Sequence, residues 1–501
     1  MYSGRGFREW EIGDIDVIKV GDTYHLFHLV LPNHDYIAHA TSSDCINWKR
    51  VKNALFVGDP GEWDDDMLWT MNVIRLPEGG YEMFYTGLSA RENGALQRLG
   101  RAVSDDLFNW TKANTPPFPI EPRHPYYETL DHNGRGWVSF RDPFPLDYNG
   151  KRYLLACARI PEGPVSRRGC VGVVRLEQGK AIIEKPLFTP FVYDDVECPC
   201  LVEIKGMFYL IGSIREDVKV HYWHSDDFQG PYEAFQNNVL MPRGNYAARV
   251  TRDDGHILLY SFYVAGKNVE VCNRYFCPPK ELAVDESGRL VLKSFHRWNR
   301  KISDSIETEL LSDWLALFQN PSADMELGNP KAPVFTSKSG YEVFCFENPN
   351  ENFIWRGRIN VVGLGKCGIY FNGTHDGDGY FISLDVVNGF VQIRAWAQNL
   401  SDPHHDYVFE NYQTNNFTPN DSHEHDFELI RYGEYIEFSI DGTVVLSLVN
   451  GSFAGASCGV YCESASVSLK DSSIHRLRPP DDENLVHFYQ HSEGGENDPG
   501  S

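Results

Sequence analysis

RDPFPLDYNGKRYLLACA, residues 141–158, decides the fold. A charged pair opens it, an apolar run follows, Asn-Gly turns the chain, and a second apolar run returns. Two short apolar strands joined by a turn containing Gly, the second rich in aromatics, read as a hairpin. The same grammar recurs in DIDVIKVGDTYHLFHLV, MNVIRLPEGGYEMFYTG, ECPCLVEIKGMFYLIGS and NYAARVTRDDGHILLYSF. The turn glycines are Gly21, Gly80, Gly150, Gly206 and Gly255, a mean period of roughly 58 residues. Three copies are followed by a Ser-Asp turn and a closing aromatic: Trp48, Trp110 and Tyr232. Five such units, with no long amphipathic helix among them, predict an all-β chain that begins with a five-bladed β-propeller.

Past residue 300 the hairpin repeat stops. Pro and Gly punctuate a connector, and then alternating strands resume, among them YEVFCFE, CGIYFNG, FVQIRAW and YIEFSIDGTVVLSLV. Such antiparallel alternation predicts a β-sandwich. The expected organisation is a propeller over 1–298, a linker over 299–332, a sandwich over 333–478 and an acidic flexible tail over 479–501. A chain of 501 residues is long enough for two cores.

Composition narrows the function. A formal net charge of −24 argues against nucleic acid and anionic membrane surfaces as partners, since neither offers counter-charge. No apolar run is long enough for a membrane helix, and the first twenty residues lack the basic start and apolar core of a signal peptide. The expected location is therefore cytoplasmic, or secreted if a signal peptide has been trimmed. The eleven cysteines are odd in number and scattered, which reads as reduced thiols. ECPC and VCNRYFC lack paired metal-ligand spacing, so neither metal nor cofactor is expected.

In a propeller the innermost strand of each blade lines the channel, and its first residues surround the mouth. Counting back from the turn glycines places Asp14, Asn72, Asp142, Glu197 and Asn245 there. Three converging carboxyls suit glycoside hydrolysis, in which one protonates the leaving oxygen and another attacks the anomeric carbon or activates water. Glu197 fits the acid, because its side chain is longer and its neighbours in VECPCLV are apolar. Asp14 is the candidate nucleophile, with Asp16, two residues along on the same face, its rival. Asp142, paired with Arg141, is expected to hold sugar hydroxyls. Arg141, Trp10, Asp16, His28, Trp69, Asn72 and Asn245 make up the expected substrate-binding set. Asp64, Asp65 and Asp66 read as a solvated loop.

FRDPF, VECP, YEMFYTG and HDFELIRYGEYIEFSIDGTVVLS together resemble glycoside hydrolase family 32 and its relative family 43, in the right order over roughly residues 10–475. The resemblance implies a five-bladed propeller with Asp14, Asp142 and Glu197 at its centre and Glu197 as acid/base. WEIGDIDVIKV fits the family 43 pattern around the first Asp better than that of family 32. YHLFH ends in His28 and MLWTMN replaces a Ser-rich element, so the sugar pocket is expected to differ while catalysis is kept. The implied activity is cleavage of furanosides in an oligo- or polysaccharide, fructosyl linkages first, with retention of configuration. An inverting arabinofuranosidase-like enzyme, a fructosyl transferase and a non-catalytic carbohydrate-binding propeller are the alternatives.

Overall fold

The computed structural model describes residues 2, 11–113, 116–265, 274–307, 313–348, 350–398 and 407–480. Trp10 and residues 481–501 of the expected tail lie outside the described residues. The chain divides into two compact units, one running to Leu290 and the other spanning Val291–Pro480.

The first unit is a five-bladed propeller. Its innermost strands are Glu11–Val20, Met67–Arg75, Phe140–Tyr148, Glu197–Ile204 and Asn245–Asp253. Each leads into an antiparallel meander built from the sequence that follows it. The inner strands pack in chain order, and the fifth packs on the first to close the ring. Polar contacts seal that closure. Tyr24 Oη donates to Asp253 Oδ2 at 2.6 Å, Lys19 Nζ to Asp254 Oδ2 at 2.9 Å, and Thr251 Oγ1 to the Val17 carbonyl at 2.5 Å.

Turn chemistry sets the register. Asn149-Gly150, Lys205-Gly206 and Asp254-Gly255 all hold positive φ at both residues, as the right-handed twist of a tight hairpin requires. The second blade differs, because Arg75 pairs with Tyr81 and leaves a five-residue turn, 76–80. Every inner strand also carries one extra residue. The pairing breaks between Ile12 and Ile15, Trp69 and Met71, Arg141 and Phe144, Glu197 and Cys200, and Tyr246 and Arg249. A bulge sharpens the local twist and re-aims the side chains beside it. Asp142, Cys198 and Ala247 take the bulge with φ of 61°, 50° and 51°. A left-handed non-glycine residue costs about 1–2 kcal/mol, so the surrounding sheet must hold these three positions in place.

Between blades, Asp16 is 2% exposed and accepts from Asn72 Nδ2 at 2.9 Å and from the Val73 amide at 2.7 Å. Burial pushes its carboxyl up to about 7, against the pull of Arg249 and the Val73 amide. Replacing Asn72 with Ala strands one buried acceptor. The expected loss is about 1–3 kcal/mol in a urea melt, and an unchanged midpoint would mean that this contact does not join the blades. Asp64 departs from the expected solvated loop. It is fully buried, accepts from Tyr85 Oη at 2.8 Å and pairs with Lys112 Nζ at 2.6 Å. The buried tyrosine hydroxyl needs a partner, and Asp64 supplies it.

The second unit is an antiparallel sandwich organised by one 21-residue strand, Ser457–Leu477. This strand pairs with Val334–Glu347, Phe353–Val362 and Lys366–Gly373, so it runs through both faces. The expected linker 299–332 is not free chain in its described part. Leu315–Ala316 and Ala323–Glu326 are short strands paired with Val334–Glu347. No helix among the described residues is long and apolar enough to cross a membrane. The ten described cysteines are free and buried.

Candidate active site

The bulges stack two tiers of side chains at the channel mouth. Trp69, Arg141, Glu197 and Tyr246 are the last paired residues before the break in blades two to five, so they occupy equivalent places. Arg141 Nη2 donates to Glu197 Oε1 at 2.6 Å, and Tyr246 Oη donates to Glu197 Oε2. The Arg141 guanidinium lies 6.0 Å from the Trp69 ring centre and 5.9 Å from that of Trp137. The bulge residues form the second tier. Thr70 Oγ1 donates to Asp14 Oδ2, and the Cys198 amide donates to Asp142 Oδ2 at 2.8 Å. Ligand atoms of Asp14, Asp142 and Cys198 lie within 4.8 Å of one another. Asp142 Oδ1 is buried with no hydrogen-bond partner. Two carboxyls and a thiol at this spacing are also a set of groups that could hold a cation.

The electrostatics follow from crowding charges in a dry place. Burial raises the Asp14 carboxyl and the charge of Glu197 adds to this, while Thr70, Arg249 and Arg274 pull it down. Burial also raises Asp142, with Arg141 opposing and Asp14 adding. Glu197 is raised by burial and by Asp142 and Asp195, against Arg141 and the Tyr246 hydroxyl. Like charges this close titrate as a group, each raising its neighbours.

The site brings together Asp14, Arg141, Asp142, Glu197 and Trp69 from the expected set. It does not bring in Asn72 or Asn245. Asn72 is engaged with Asp16 inside the blade interface, and Asn245 is fully buried, donating to the Pro242 carbonyl at 3.1 Å. Counting from Gly80 misses the longer second turn, so Thr70 holds the place expected for Asn72. In blade five the pre-bulge residue is Tyr246. Asp16 points into the blade interface, with both carboxyl oxygens occupied by protein donors. His28 is fully buried, with Nδ1 at 2.8 Å from the Leu29 carbonyl and Nε2 at 2.9 Å from Tyr2 Oη. Neither Asp16 nor His28 presents an edge to a sugar. Thr70, Trp137, Asp195, Tyr246 and Arg249 went unnoticed in the sequence. The tyrosine and the threonine had a signal, namely equivalent position in the repeat, once the bulge is counted.

Residues 9–261 match the family model of glycosyl hydrolases family 43. The chain belongs to glycosyl hydrolases family 43. This family 43 chain is 30% identical over 128 residues to β-fructofuranosidase 1 of Zea mays, a match covering 24% of the chain and 17% of that protein. It is 25% identical over 114 residues to an extracellular endo-α-(1→5)-L-arabinanase of Bacillus subtilis, covering 20% of the chain and 23% of that protein. The matched stretches thus span less than a quarter of these curated relatives. Fructan 1-exohydrolase IIa of Cichorium intybus shares the fold with a TM-score of 0.68 at 13% identity, over 94% of this family 43 chain and 96% of that one. Both likenesses read from the sequence are therefore represented: the family model is that of family 43, and the fold extends over both units of a fructan-cleaving enzyme.

Proposed function

We propose that this protein hydrolyses furanosides, fructosyl linkages first, by double displacement. The observation that carries the reading is the convergence of Asp14, Asp142 and Glu197 from three bulged inner strands, their carboxyls raised by burial and by one another. Asp14 attacks the anomeric carbon while Glu197 gives its proton to the leaving oxygen, and a glycosyl-aspartate forms. Glu197, now ionised, takes a proton from water, and the water displaces Asp14 from the anomeric carbon. Asp142 holds ring hydroxyls, and those bonds tighten as positive charge develops on the sugar. Trp69 and Trp137 wall the site and exclude water around Arg141.

The relative named as an endo-arabinanase and the family 43 match favour a second reading, an inverting enzyme acting on arabinofuranosides. A panel of fructosides, difructose anhydrides and arabinofuranosides, with released sugars identified by chromatography, separates the two. Fructose release supports the first reading, and arabinose release supports the second. Tight binding of a panel member without any release would make the propeller a sugar-binding module instead.

A further inference from the structure

Arg141 poses a difficulty for the proposed acid. A guanidinium 2.6 Å from Glu197 favours the carboxylate, yet the first step needs Glu197 protonated. Asp195 stands in the same network. It is 2% exposed, and its Oδ2 lies 3.1 Å from Arg141 Nη2, the nitrogen that also holds Glu197. Its other polar neighbours are Arg135 Nη1, 3.3 Å from Oδ2, and Ser139 Oγ at 3.4 Å. Close backbone packing fixes it. A Cβ on Gly169 would come within 2.7 Å of Asp195 Cα, and the Gly169 amide donates to the Tyr193 carbonyl at 3.1 Å. Arg135 in turn stacks on Trp137, 3.4 Å from the ring centre, and donates to Asp194.

We propose that Asp195 is a positioning residue for Glu197: by sharing the Arg141 guanidinium it lets that arginine orient the acid/base without drawing it fully into an ion pair. The inference rests on the reading of Glu197 as acid/base. Two carboxylates on one guanidinium nitrogen divide its charge, and the charge on Asp195 disfavours ionisation of Glu197. The groups facing Glu197 are Arg141, Asp142 and Cys157 from blade three, Tyr246 from blade five, Asp14 from blade one, and Asp195 and Cys198 from its own segment. Those facing Asp195 are Arg141, Arg135 and Arg159, together with Glu197 and the buried thiols Cys157 and Cys170. Burial pushes the Asp195 carboxyl up, and Arg141, Arg135 and Arg159 outweigh it, so it lies below the usual carboxylate range.

The test reads Glu197 directly. Side-chain carboxyls carrying ¹³C are titrated by NMR in the full chain, with Glu197→Gln assigning the resonance. Asp195→Asn is expected to lower the Glu197 midpoint by about one pH unit, and the alkaline limb of kcat/KM should move down with it. Asp194→Asn is the comparison, because Asp194 contacts Arg135, Arg159 and Arg215 but not Arg141; acting on Asp195 only through Arg135, it should move the Glu197 midpoint much less than Asp195→Asn does. Arg135→Gln leaves Asp195 more fully to Arg141 and should move the midpoint up, which carries the test if Asp195→Asn fails to fold. An unmoved midpoint in Asp195→Asn overturns the inference, as does an equal shift in Asp194→Asn or a fall in Arg135→Gln. A shifted midpoint in a protein that cleaves no furanoside would leave the coupling standing and bring down only the proposed activity.

Discussion

Glu197→Ala is expected to lower kcat/KM on a natural furanoside by about 10²–10⁴-fold, the usual worth of a positioned general acid. The loss should be much smaller for an aryl furanoside, whose leaving group departs with little help from a proton. With such a substrate the variant still forms the glycosyl-aspartate but has no base to activate water, so the second step becomes limiting. Azide needs no base. Removing the carboxyl leaves Arg141 Nη2 without the partner it holds at 2.6 Å and frees the Tyr246 hydroxyl, so the emptied place attracts a small anion. Partial recovery of turnover with a glycosyl azide product is the expected result. Equal loss on aryl and natural substrates, with no azide adduct, would mean that Glu197 is not the acid/base.

Asp14→Asn is expected to cost about 10⁴-fold or more in kcat, as removal of a nucleophile does, while the melting temperature stays close to the wild type. The amide keeps the shape of the carboxyl, and its oxygen can still accept from Thr70 Oγ1. The loss of a negative charge also relieves Asp142, which Asp14 pushes up. Asp16→Asn makes the comparison sharp. Asp16 is buried between blades and satisfied by Asn72 and Val73, so its variant should keep kcat within a few-fold and show its effect in stability instead. A silent Asp14→Asn beside an inactive Asp16→Asn would exchange the two roles.

Much of this architecture can be read from turn chemistry. The hairpin glycines mark five blades because a tight turn needs residues that accept positive φ, and the carboxyls of RDP and ECP stand at strand starts, where charge faces a funnel. The pocket itself was less legible. Position counted from a glycine is correct only while every turn has one length, and the five-residue turn at 76–80 moves Thr70 into the place that counting assigns to Asn72. Bulges leave no composition signal of their own, so Tyr246 looked like any strand tyrosine until its equivalence to Arg141 and Glu197 emerged. Asp195 belongs to a loop 54 residues from Arg141 in sequence, and only the folded ring brings the two together. His28 and Asp16 misled for the opposite reason: a polar residue near the start of a blade can be there to satisfy its neighbours.

The stereochemistry of the first product tests direct attack by Asp14 most directly. Direct attack needs the nucleophile and acid carboxyls about 5–5.5 Å apart, whereas a water between them needs about 6.5–9.5 Å. Proton NMR during the first turnovers, on a furanoside whose released sugar changes anomer slowly, reads the outcome before it is scrambled. The product is predicted to appear with the anomeric configuration of the substrate. A first-formed product of inverted configuration would contradict a glycosyl-Asp14 intermediate and make Asp14 the base that activates water.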